Sequence, residues 1–448
     1  MKELEAYRNI MTDLPEGIQE AEAEAEKNDR ISAGLIDGSV SGMSASDKTA
    51  IFVRASGKKT GTTYTQNLEA DPAEVLLEAL ANAEYGQEEK PEIMNSGTAM
   101  KTSNGEDQEH ASLETLLQKA AELEKAVREI VPEPSHMEIL ITENLRTVGI
   151  VNSLGLDRTY TRRIAEASLQ VTMEKDVHRS LALETSAGTV AGIPVSYFTE
   201  KMAEWLLWPL HNNSSTVGAL PAVLDGGVVC NILLTAWLMF SGYQYQRQNT
   251  PFYGKLGEKL FSPLVTLSDI PDSADYGYGR SFDCEGSTCR RVDVVKDGIF
   301  KELMHNLATA ASAGCESTGN AGRDVNLISD QTEVRVIPSH FTLCRGSSKK
   351  EDMLNRLEDG IYICESFDMF HCLNTASGDY TIPCKGIRYQ KGKPAGMVEG
   401  ITLNGNLADL LKDIEMVADD KTTVSMVMSK SFEVSASSVY VKKVNISM

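Results

Sequence analysis

The chain has 448 residues, of which 42% are hydrophobic and 24% charged, so it is long enough for two folded domains and too apolar for extended disorder. A net charge of −21 without any Lys/Arg cluster disfavours direct binding of DNA or RNA. The most apolar run, residues 228–240, is interrupted by Asn231 and Thr235. It is shorter than the roughly 20 residues that span a bilayer, so a buried helix is expected and no membrane segment.

The chain begins MKELEAYRNIMTDLPEG, without the apolar core of a signal peptide, which predicts a cytoplasmic protein. Eight cysteines are scattered beyond the midpoint, a pattern typical of reduced thiols in a long chain. No C-x-x-C pair occurs, and the seven histidines are widely separated. The sequence therefore predicts neither a bound metal nor another cofactor.

The sequence predicts a helix and a β-hairpin as the first elements of the chain. Residues 16–27 (EGIQEAEAEAEK) are expected to form an acidic helix. Residues 51–55 and 61–65 flank a polar turn and predict a β-hairpin. A further helix follows, because Asp71 and Pro72 supply its N-cap and first-turn proline.

The next stretch combines a loop, helices and strands. Residues 94–110 are polar and are expected to form an exposed loop. Ser112 opens a helix whose apolar stripe runs to Ile130, before Pro132 and Pro134. Strands are expected over 137–185, with a turn at Asn152-Ser153-Leu154-Gly155, and a helix over 197–210.

Residues 211–218 (HNNSSTVG) are the best candidate for a linker. We therefore predict an α+β protein of two domains: an N-terminal mixed α/β domain over 1–215 and a strand-rich C-terminal domain over 216–448. Hairpins are expected at Asp297-Gly298 and near 387–397, and a strand over 435–446.

Motifs for nucleotide binding and serine catalysis fail on spacing or context. Residues 386–393 have five residues between the glycine and the final Gly-Lys, followed by proline, so they do not form a P-loop. Residues 56–59 and 347–350 both match S-x-x-K, but without the companion motifs. Both are interpreted as solvated turns.

The segment SFDCEGSTCRRVDVVKDGIFKELMHNLATAASAGCESTGNAGR, residues 281–323, resembles the TldD/PmbA family, also called modulators of DNA gyrase. Three parts carry the resemblance: Asp283-x-Glu285-Gly286, the Lys296-Asp297-Gly298 hairpin, and the run from Ser317 to Arg323. Residues 377–380 (SGDY) and 399–411 (EGITLNGNLADLL) also fit. The similarity extends over most of the chain in islands.

The resemblance implies which type of subunit the chain is. TldD-type subunits carry H-E-x-x-x-H on a helix, whereas PmbA (TldE) types lack it. The matching helix lies near residues 231–242, where Leu233, Leu234 and Leu238 fall near the ligand positions. No histidine occurs between His211 and His305, and no cysteine follows Cys384. The chain therefore resembles the PmbA type, without a metal site of its own.

Such a protomer is expected to pair with a TldD-like zinc peptidase subunit, or with itself, and to enclose a chamber where extended or unfolded peptides are cleaved. Extended peptides bind by adding a strand to a sheet edge. By this resemblance the tentative peptide-binding residues are Ser317, Thr318, Gly319, Asn320 and Arg323. The competing interpretation is a glycine-containing turn that shapes the fold.

Two other functions stay open. One is a stand-alone homodimeric regulatory protein of the gyrase-modulator type, acting through protein contacts because the chain is acidic. The other is a hydrolase with a cysteine nucleophile, for which Cys284, Cys289 and Cys315 are the first candidates. Neighbouring Asp283 and Glu285 would raise the thiol pKa and weaken such a nucleophile.

Overall fold

The computed structural model describes residues 1–85, 94–96, 109–131, 133–174, 178–212, 218–271, 279–325, 330–367, 371–425 and 432–448. We call the described residues up to 212 the first half and those from 218 the second half. No helix in these ranges is long and apolar enough to cross a membrane.

The first half is built on one antiparallel sheet of six strands, in the order β3-β2-β1-β4-β5-β6. Its strands are β1 (Glu20–Ile36), β2 (Ser39–Ser56), β3 (Thr60–Thr65), β4 (His136–Asn152), β5 (Asp157–Met173) and β6 (Arg179–Ala187). Its helices are α1 (Glu5–Ile10), α2 (Pro72–Asn82), α3 (Leu113–Arg128) and α4 (Val195–Leu206).

The expected helix over residues 16–27 is wrong, because β1 begins at Glu20 and runs through this segment. Glu and Ala alternate here with a period of two, which places every second side chain on the same face of a strand. Ala21, Ala23 and Ala25 are fully buried in the core below this sheet. Alternation therefore outweighs the helix propensity of both residue types.

Other local predictions are confirmed. β2 and β3 form the expected hairpin, and β4 and β5 pair around the predicted turn. Asp71 caps α2 by accepting from the Ala73 amide, and Ser112 caps α3 by accepting from the Thr115 amide. α4 ends at Leu206, short of the expected 210. Of the predicted loop, only 94–96, 109 and 110 lie among the described residues, and Met94 is buried.

The second half contains two six-stranded sheets and a two-stranded ribbon, β11-β12. The sheet orders are β10-β9-β8-β13-β19-β18 and β16-β15-β14-β7-β20-β17. The strands are β7 (Gly218–Leu224), β8 (Leu267–Asp269), β9 (Val292–Lys296), β10 (Ile299–Phe300), β11 (Ala321–Val325), β12 (Asp330–Val336), β13 (His340–Leu343), β14 (Asp359–Ser366), β15 (Asp379–Gln390), β16 (Lys393–Asn406), β17 (Ile414–Val417), β18 (Thr422–Ser425), β19 (Glu433–Ala436) and β20 (Val439–Ser447). The helices are α5 (Gly226–Ala236), α6 (Gly242–Gln246), α7 (Leu307–Ala313), α8 (Lys350–Asn355) and α9 (Leu407–Lys412).

α5 is the buried helix predicted from the apolar run, and it packs against β14, β18 and β19. The Asp297-Gly298 turn joins β9 to β10, and both residues have positive φ, as a tight hairpin turn requires. The hairpin predicted near 387–397 is formed by β15 and β16, and the C-terminal strand by β20. The mixed, strand-rich α+β class is confirmed.

The position of the domain boundary stays a prediction. Residues 213–217 of the predicted linker lie outside the described residues. Among the described residues, the first sheet ends at Ala187 and the strands of the other sheets begin at Gly218.

Candidate functional site

A cavity of about 740 Å³ opens between the two halves. We call it the open cavity. Strands β5 and β6 and helix α4 form its wall on the side of the first half, and α5, β14, β15 and β18 form the opposite wall. Its volume lies within the roughly 300–1,000 Å³ of ordinary ligand pockets.

Helix α5 begins at this cavity. Asp225 is its N-cap and accepts a hydrogen bond of 3.0 Å from the Gly227 amide. Gly227, Val228 and Asn231 line the cavity, at the spacing of one helical face. The Asn231 carboxamide donates to the Ser366 hydroxyl over 2.9 Å.

The leucines that the sequence comparison placed near ligand positions do not line this wall. Leu233 and Leu234 are buried in the core of the second half, and Leu238 packs against the same core. The assignment of Leu233, Leu234 and Leu238 to the ligand positions stays a prediction, and α5 presents Gly227, Val228 and Asn231 to the cavity.

A peptidase zinc ion does not fit these residues. Zinc in such enzymes takes imidazole, thiolate or carboxylate ligands, and this face of α5 offers only one carboxamide and apolar groups. Across the part of the chain that the structure describes, no group of three His, Cys, Asp or Glu side chains is placed to hold a metal ion.

Opposite charges converge at one end of the cavity and hold the two halves together. Lys201 of α4 donates to both Asp225 oxygens, over 2.9 and 2.8 Å. Lys350, the first residue of α8, donates to Asp225 over 2.6 Å and to Glu204 over 2.9 Å. The Tyr362 hydroxyl also bonds Asp225, over 2.8 Å.

Asp225 and Lys201 are held in their charged forms. Burial would raise the pKa of Asp225, but Lys201 and Lys350 outweigh burial and bring it well below its usual range. Burial would lower the pKa of Lys201, but Asp225 and Glu204 raise it above its usual range. Asp225 and Lys201 therefore position the walls and exchange no proton near neutrality.

Glu184 of β6 behaves differently. Burial, together with the nearby charge of Glu166, raises the pKa of Glu184 to about 7. This carboxyl lines the cavity, so its wall changes charge in the neutral range.

The edge strand of the first sheet lies at the cavity, and β18 of the second half is in contact with it. β6 is the last strand of the first sheet, and residues 180–184 line the cavity. In the described residues, β6 pairs with β5 alone. A strand with one unpaired edge presents backbone N–H and C=O groups that an extended peptide can bind.

The predicted peptide-binding segment lies elsewhere, and its polar side chains are buried at Thr318, Asn320 and Arg323 and partly buried at Ser317. The Thr318 hydroxyl donates to the Asn320 carboxamide over 2.6 Å, and Asn320 donates to Asp269 over 2.6 Å. Ser317 donates to the His305 carbonyl over 3.2 Å. Gly319 has φ of 76°, and a Cβ there would lie 2.4 Å from the Cα of Cys289.

Arg323 ends this segment in a second contact between the halves. It forms an ion pair with Glu24 of β1, and its guanidinium lies 4.8 Å from the centre of the Phe52 ring. In return, Arg54 of β2 pairs with Glu22 over 2.7 Å and lies 3.5 Å from Glu285 of the second half. We call Glu22, Glu24, Arg54, Glu285 and Arg323 the sealed contact.

The sealed contact has little internal space. The cavity beside Glu24 and Arg323 measures about 30 Å³. Burial outweighs the attraction of Arg54 and raises the pKa of Glu285 to about 8, and burial lowers the pKa of Arg323 to about 10. None of the five predicted residues lines the open cavity. Peptide contact by Ser317, Thr318, Gly319, Asn320 and Arg323 stays a prediction.

The candidate cysteine nucleophiles differ in access. None of the eight cysteines forms a disulfide bond in the described structure. Burial and the charges of Asp283 and Glu285 raise the pKa of Cys284 well above its usual range. Burial also raises the pKa of Cys289, whereas Cys315 is exposed. A buried, protonated thiol is a poor nucleophile.

One further arrangement has the geometry of a nucleophile, a base and an orienting acid. The Ser435 hydroxyl lies 2.8 Å from Nε2 of His340, whose Nδ1 lies 2.7 Å from Glu433. All three are at most 1% exposed, and Ser186 donates to the second Glu433 oxygen over 2.6 Å. Because no substrate reaches them, they serve as a buried link between β6, β13 and β19.

Residues 217–448 match the family model of the PmbA/TldA metallopeptidase C-terminal domain, and residues 106–204 match that of the central domain. The first match alone covers more than half of the chain. The chain belongs to the PmbA/TldA metallopeptidase family.

Sequence relatives carry the same family names. A metalloprotease of Methanothermobacter thermautotrophicus is 30% identical over 168 residues, which cover 37% of this chain and 35% of that protein. Metalloprotease PmbA of Escherichia coli O157:H7 is 26% identical over 191 residues, which cover 43% of this chain and 39% of that protein. The chain thus matches less than half the length of these relatives.

Solved structures of the family share the whole fold. TldE of Thermococcus kodakarensis superposes with a TM-score of 0.82 at 19% identity, covering 99% of this chain and 100% of that chain. A candidate modulator of a DNA gyrase from Thermotoga maritima gives 0.79 at 23% identity, covering 96% of each chain. At these identities the likeness establishes the TldD/PmbA-type fold.

Sequence reasoning missed the charged cluster of the open cavity. Asp225 had a local signal, because an aspartate directly before Gly226 and an apolar run is typical of a helix N-cap. Lys350 is the last residue of the S-x-x-K match at 347–350, for which the sequence predicts a solvated turn. This prediction is wrong for Lys350, because its side chain is only 12% exposed and forms ion pairs with Glu204 and Asp225.

Proposed function

We propose that this chain is the non-catalytic, PmbA/TldE-like subunit of a TldD/TldE-type metallopeptidase complex that cleaves extended or unfolded peptides. The observation that carries the proposal is the cavity face of α5. The family is a metallopeptidase family, but here this face presents Gly227, Val228 and Asn231, which supply no ligand set for zinc. A TldD-like partner would supply the metal and the hydrolytic water.

The role of this chain in the complex is to bind the peptide. The position of β6 supports this role, because residues 180–184 of this terminal strand line a cavity of about 740 Å³. Backbone hydrogen bonds would give affinity for any extended sequence. Tyr197 and Trp208 line the same cavity and offer apolar surface to peptide side chains.

We further propose a cytoplasmic location and action on peptides, without direct contact to nucleic acid. None of the eight cysteines forms a disulfide bond in the described structure, which fits a reducing compartment. The net charge of −21 opposes binding to a phosphate backbone.

Reconstitution tests the division of labour. The purified chain alone is expected to bind no stoichiometric zinc and to cleave no unstructured peptide. Addition of a TldD-like subunit with H-E-x-x-x-H should produce cleavage that a chelator abolishes. About one tightly bound zinc per isolated chain, or metal-dependent cleavage by the chain alone, would refute the proposal.

A second experiment tests the β6 edge. N–H groups alternate sides along a strand, so one of the adjacent residues Ala182 and Leu183 directs its N–H away from β5. Proline at that position removes one donor from the edge and should weaken binding of an unstructured fluorescent peptide at least tenfold. The control is the same peptide N-methylated on alternate amides, which should bind wild-type protein equally weakly. Equal affinity of methylated and unmethylated peptides would rule out strand addition.

A further inference from the structure

The charged side chains that line the open cavity are unbalanced at Glu184. The lysines of its lining are Lys201 and Lys385, and each is already bound to a carboxylate. Lys201 pairs with Asp225 over 2.8 Å, and Lys385 pairs with Glu365. None of the described residues forms a hydrogen bond or an ion pair with the Glu184 side chain. The cavity wall therefore holds a carboxyl without a bound cation.

Glu184 lies on the face of the first sheet that meets the cavity. It is directly opposite Ser168 of β5, and Ala182 on the same face is opposite Gln170. All four line the cavity. The nearest charge on this face, Glu166 of β5, has the same sign and acts on Glu184 through space. A ligand at this wall therefore meets a negative potential.

The elements packed against β6 bring no cation of the described chain into contact with this carboxyl. β18 contacts β6, and its residues Thr422–Ser425 are uncharged. α4 contributes Lys201, which is already paired, and Tyr197, whose pKa burial raises above its usual range. β19 contributes Glu433, which is paired with His340 over 2.7 Å. A cation that neutralises the carboxyl would therefore come from a ligand.

We propose that the open cavity selects peptides that carry a lysine or arginine side chain, with Glu184 as the specificity-determining residue that binds the cationic group. The proposal rests on the proposed function, peptide binding in this cavity. Tyr197 and Trp208 line the same cavity, and aromatic rings suit the methylene stems that lysine and arginine carry. A carboxylate withdrawn from water is costly without a partner, and a peptide cation supplies that partner.

The preference for a cation is expected to depend on pH. Burial and the charge of Glu166 raise the pKa of Glu184 to about 7, so the carboxyl is mostly protonated well below that pH. A bound cation favours the ionised form, so binding below pH 7 releases a proton. Arginine keeps its own charge throughout this range. The preference should therefore be present above about pH 7 and be lost as the pH falls.

Fluorescence anisotropy with two labelled, end-blocked peptides measures the preference on the full chain. Both peptides are unstructured and uncharged except at one central residue, which is arginine in one peptide and its neutral isostere citrulline in the other. At pH 8 the arginine peptide should bind about tenfold more tightly than the citrulline peptide. At pH 5.5 the ratio should fall below about threefold. The ratio cancels titrations that affect both peptides equally.

Variants assign the preference to one residue. Glu184→Gln should abolish both the preference at pH 8 and its dependence on pH. Glu129→Gln is the matched control, because it removes the same charge at an exposed position at the end of α3, outside the cavity lining, and it should keep the full preference. Circular dichroism checks that both variants are folded. The comparison of pH 8 with pH 5.5 tests the proposal on the wild-type protein as well.

The outcomes separate this proposal from the proposed function. Equal binding of the two peptides by wild type at pH 8 would overturn the selection of cations and leave peptide binding intact, whereas binding of neither peptide would overturn both. Equal loss of preference in Glu184→Gln and Glu129→Gln would assign it to the net charge of −21 and overturn the role of Glu184. A preference that survives Glu184→Gln, or that is the same at both pH values, would also overturn that role.

Discussion

The two halves of the chain meet in two regions rich in ionisable side chains, and these regions differ in packing. In the sealed contact, Arg54 and Arg323 pair with carboxylates beside a space of about 30 Å³. In the open cavity, Lys201 and Asp225 stand at one end of a space of about 740 Å³. The two regions therefore contain similar chemistry with different access.

The difference separates structural charges from charges available to a ligand. Ions without access to water are costly unless each has a partner, so removal of one partner should unfold the sealed contact. In the open cavity, a ligand can approach β6 and Glu184 without breaking an ion pair of the cluster. Mutations in the first region should therefore change stability, and those in the second should change binding or its dependence on pH.

The largest effect is expected for Arg54→Met. Arg54 is 1% exposed, and its loss leaves Glu22 and Glu285 buried without this cation. The free energy of unfolding should fall by about 3–5 kcal/mol in urea titrations. Arg356→Met is the control, because Arg356 and Glu415 form an exposed pair, and it should cost less than about 1 kcal/mol. Equal losses in both variants would mean that the sealed contact does not stabilise the fold.

A smaller loss is expected for Asn320→Ala. The variant leaves Asp269 without the 2.6 Å bond from the carboxamide, at a site that is 1% exposed. The expected cost is about 1–3 kcal/mol in the free energy of unfolding. Asn249→Ala is the control. The exposed Asn249 carboxamide donates to the Gln244 side chain, so its loss should change the free energy of unfolding by less than about 0.5 kcal/mol.

The same variant decides the role of the predicted peptide-binding segment. If Asn320→Ala raised KM of the reconstituted pair while stability stayed unchanged, Asn320 would contact peptide as the resemblance implies. Lost stability with an unchanged KM would assign Asn320 to the fold.

The features that sequence predicted are those that a few neighbouring residues determine. The caps at Asp71 and Ser112 and the turn at Asp297-Gly298 each need only local hydrogen bonds or a permitted φ. The family resemblance supplied the strand-rich TldD/PmbA type of the C-terminal region, whereas its division into two six-stranded sheets is visible only in the structure. The helix predicted over residues 16–27 is wrong, because the segment forms β1 with Glu22 and Glu24 buried.

Glu22 and Glu24 are buried because their partners come from distant parts of the sequence. Arg54 reaches Glu22 from the next strand, and Arg323 reaches Glu24 from the second half. No periodicity in β1 reveals either partner. The open cavity was missed for the same reason, because Lys201, Asp225 and Lys350 converge only after the two halves have packed together.

A pH-dependent effect is expected for Glu184→Gln. The carboxyl ionises near 4.5 in the unfolded chain and at about 7 in the folded protein. Its contribution to stability is therefore fully present below about pH 4.5 and is lost as the pH rises through about 7. Glutamine cannot ionise, so the variant should melt a few degrees higher than wild type at pH 8 and show little gain at pH 5. Glu138→Gln, an exposed position on the same wall, should show no such difference.

The smallest effect is expected from thiol modification, and it tests the contrast in access at the cysteines. Cys315 is exposed and should react with iodoacetamide in the folded protein, whereas Cys284 is buried with a raised pKa and should react only after unfolding. Mass spectrometry gives the extent of labelling at each residue, and fluorescence anisotropy gives peptide affinity. Because Cys315 does not line the open cavity, affinity should change less than twofold after it is modified. Rapid labelling of Cys284 together with loss of a peptidase activity of the isolated chain would revive the cysteine nucleophile. It would also show that the region around Cys284, which precedes Glu285 of the sealed contact, opens in solution, because Cys284 is buried in the folded protein.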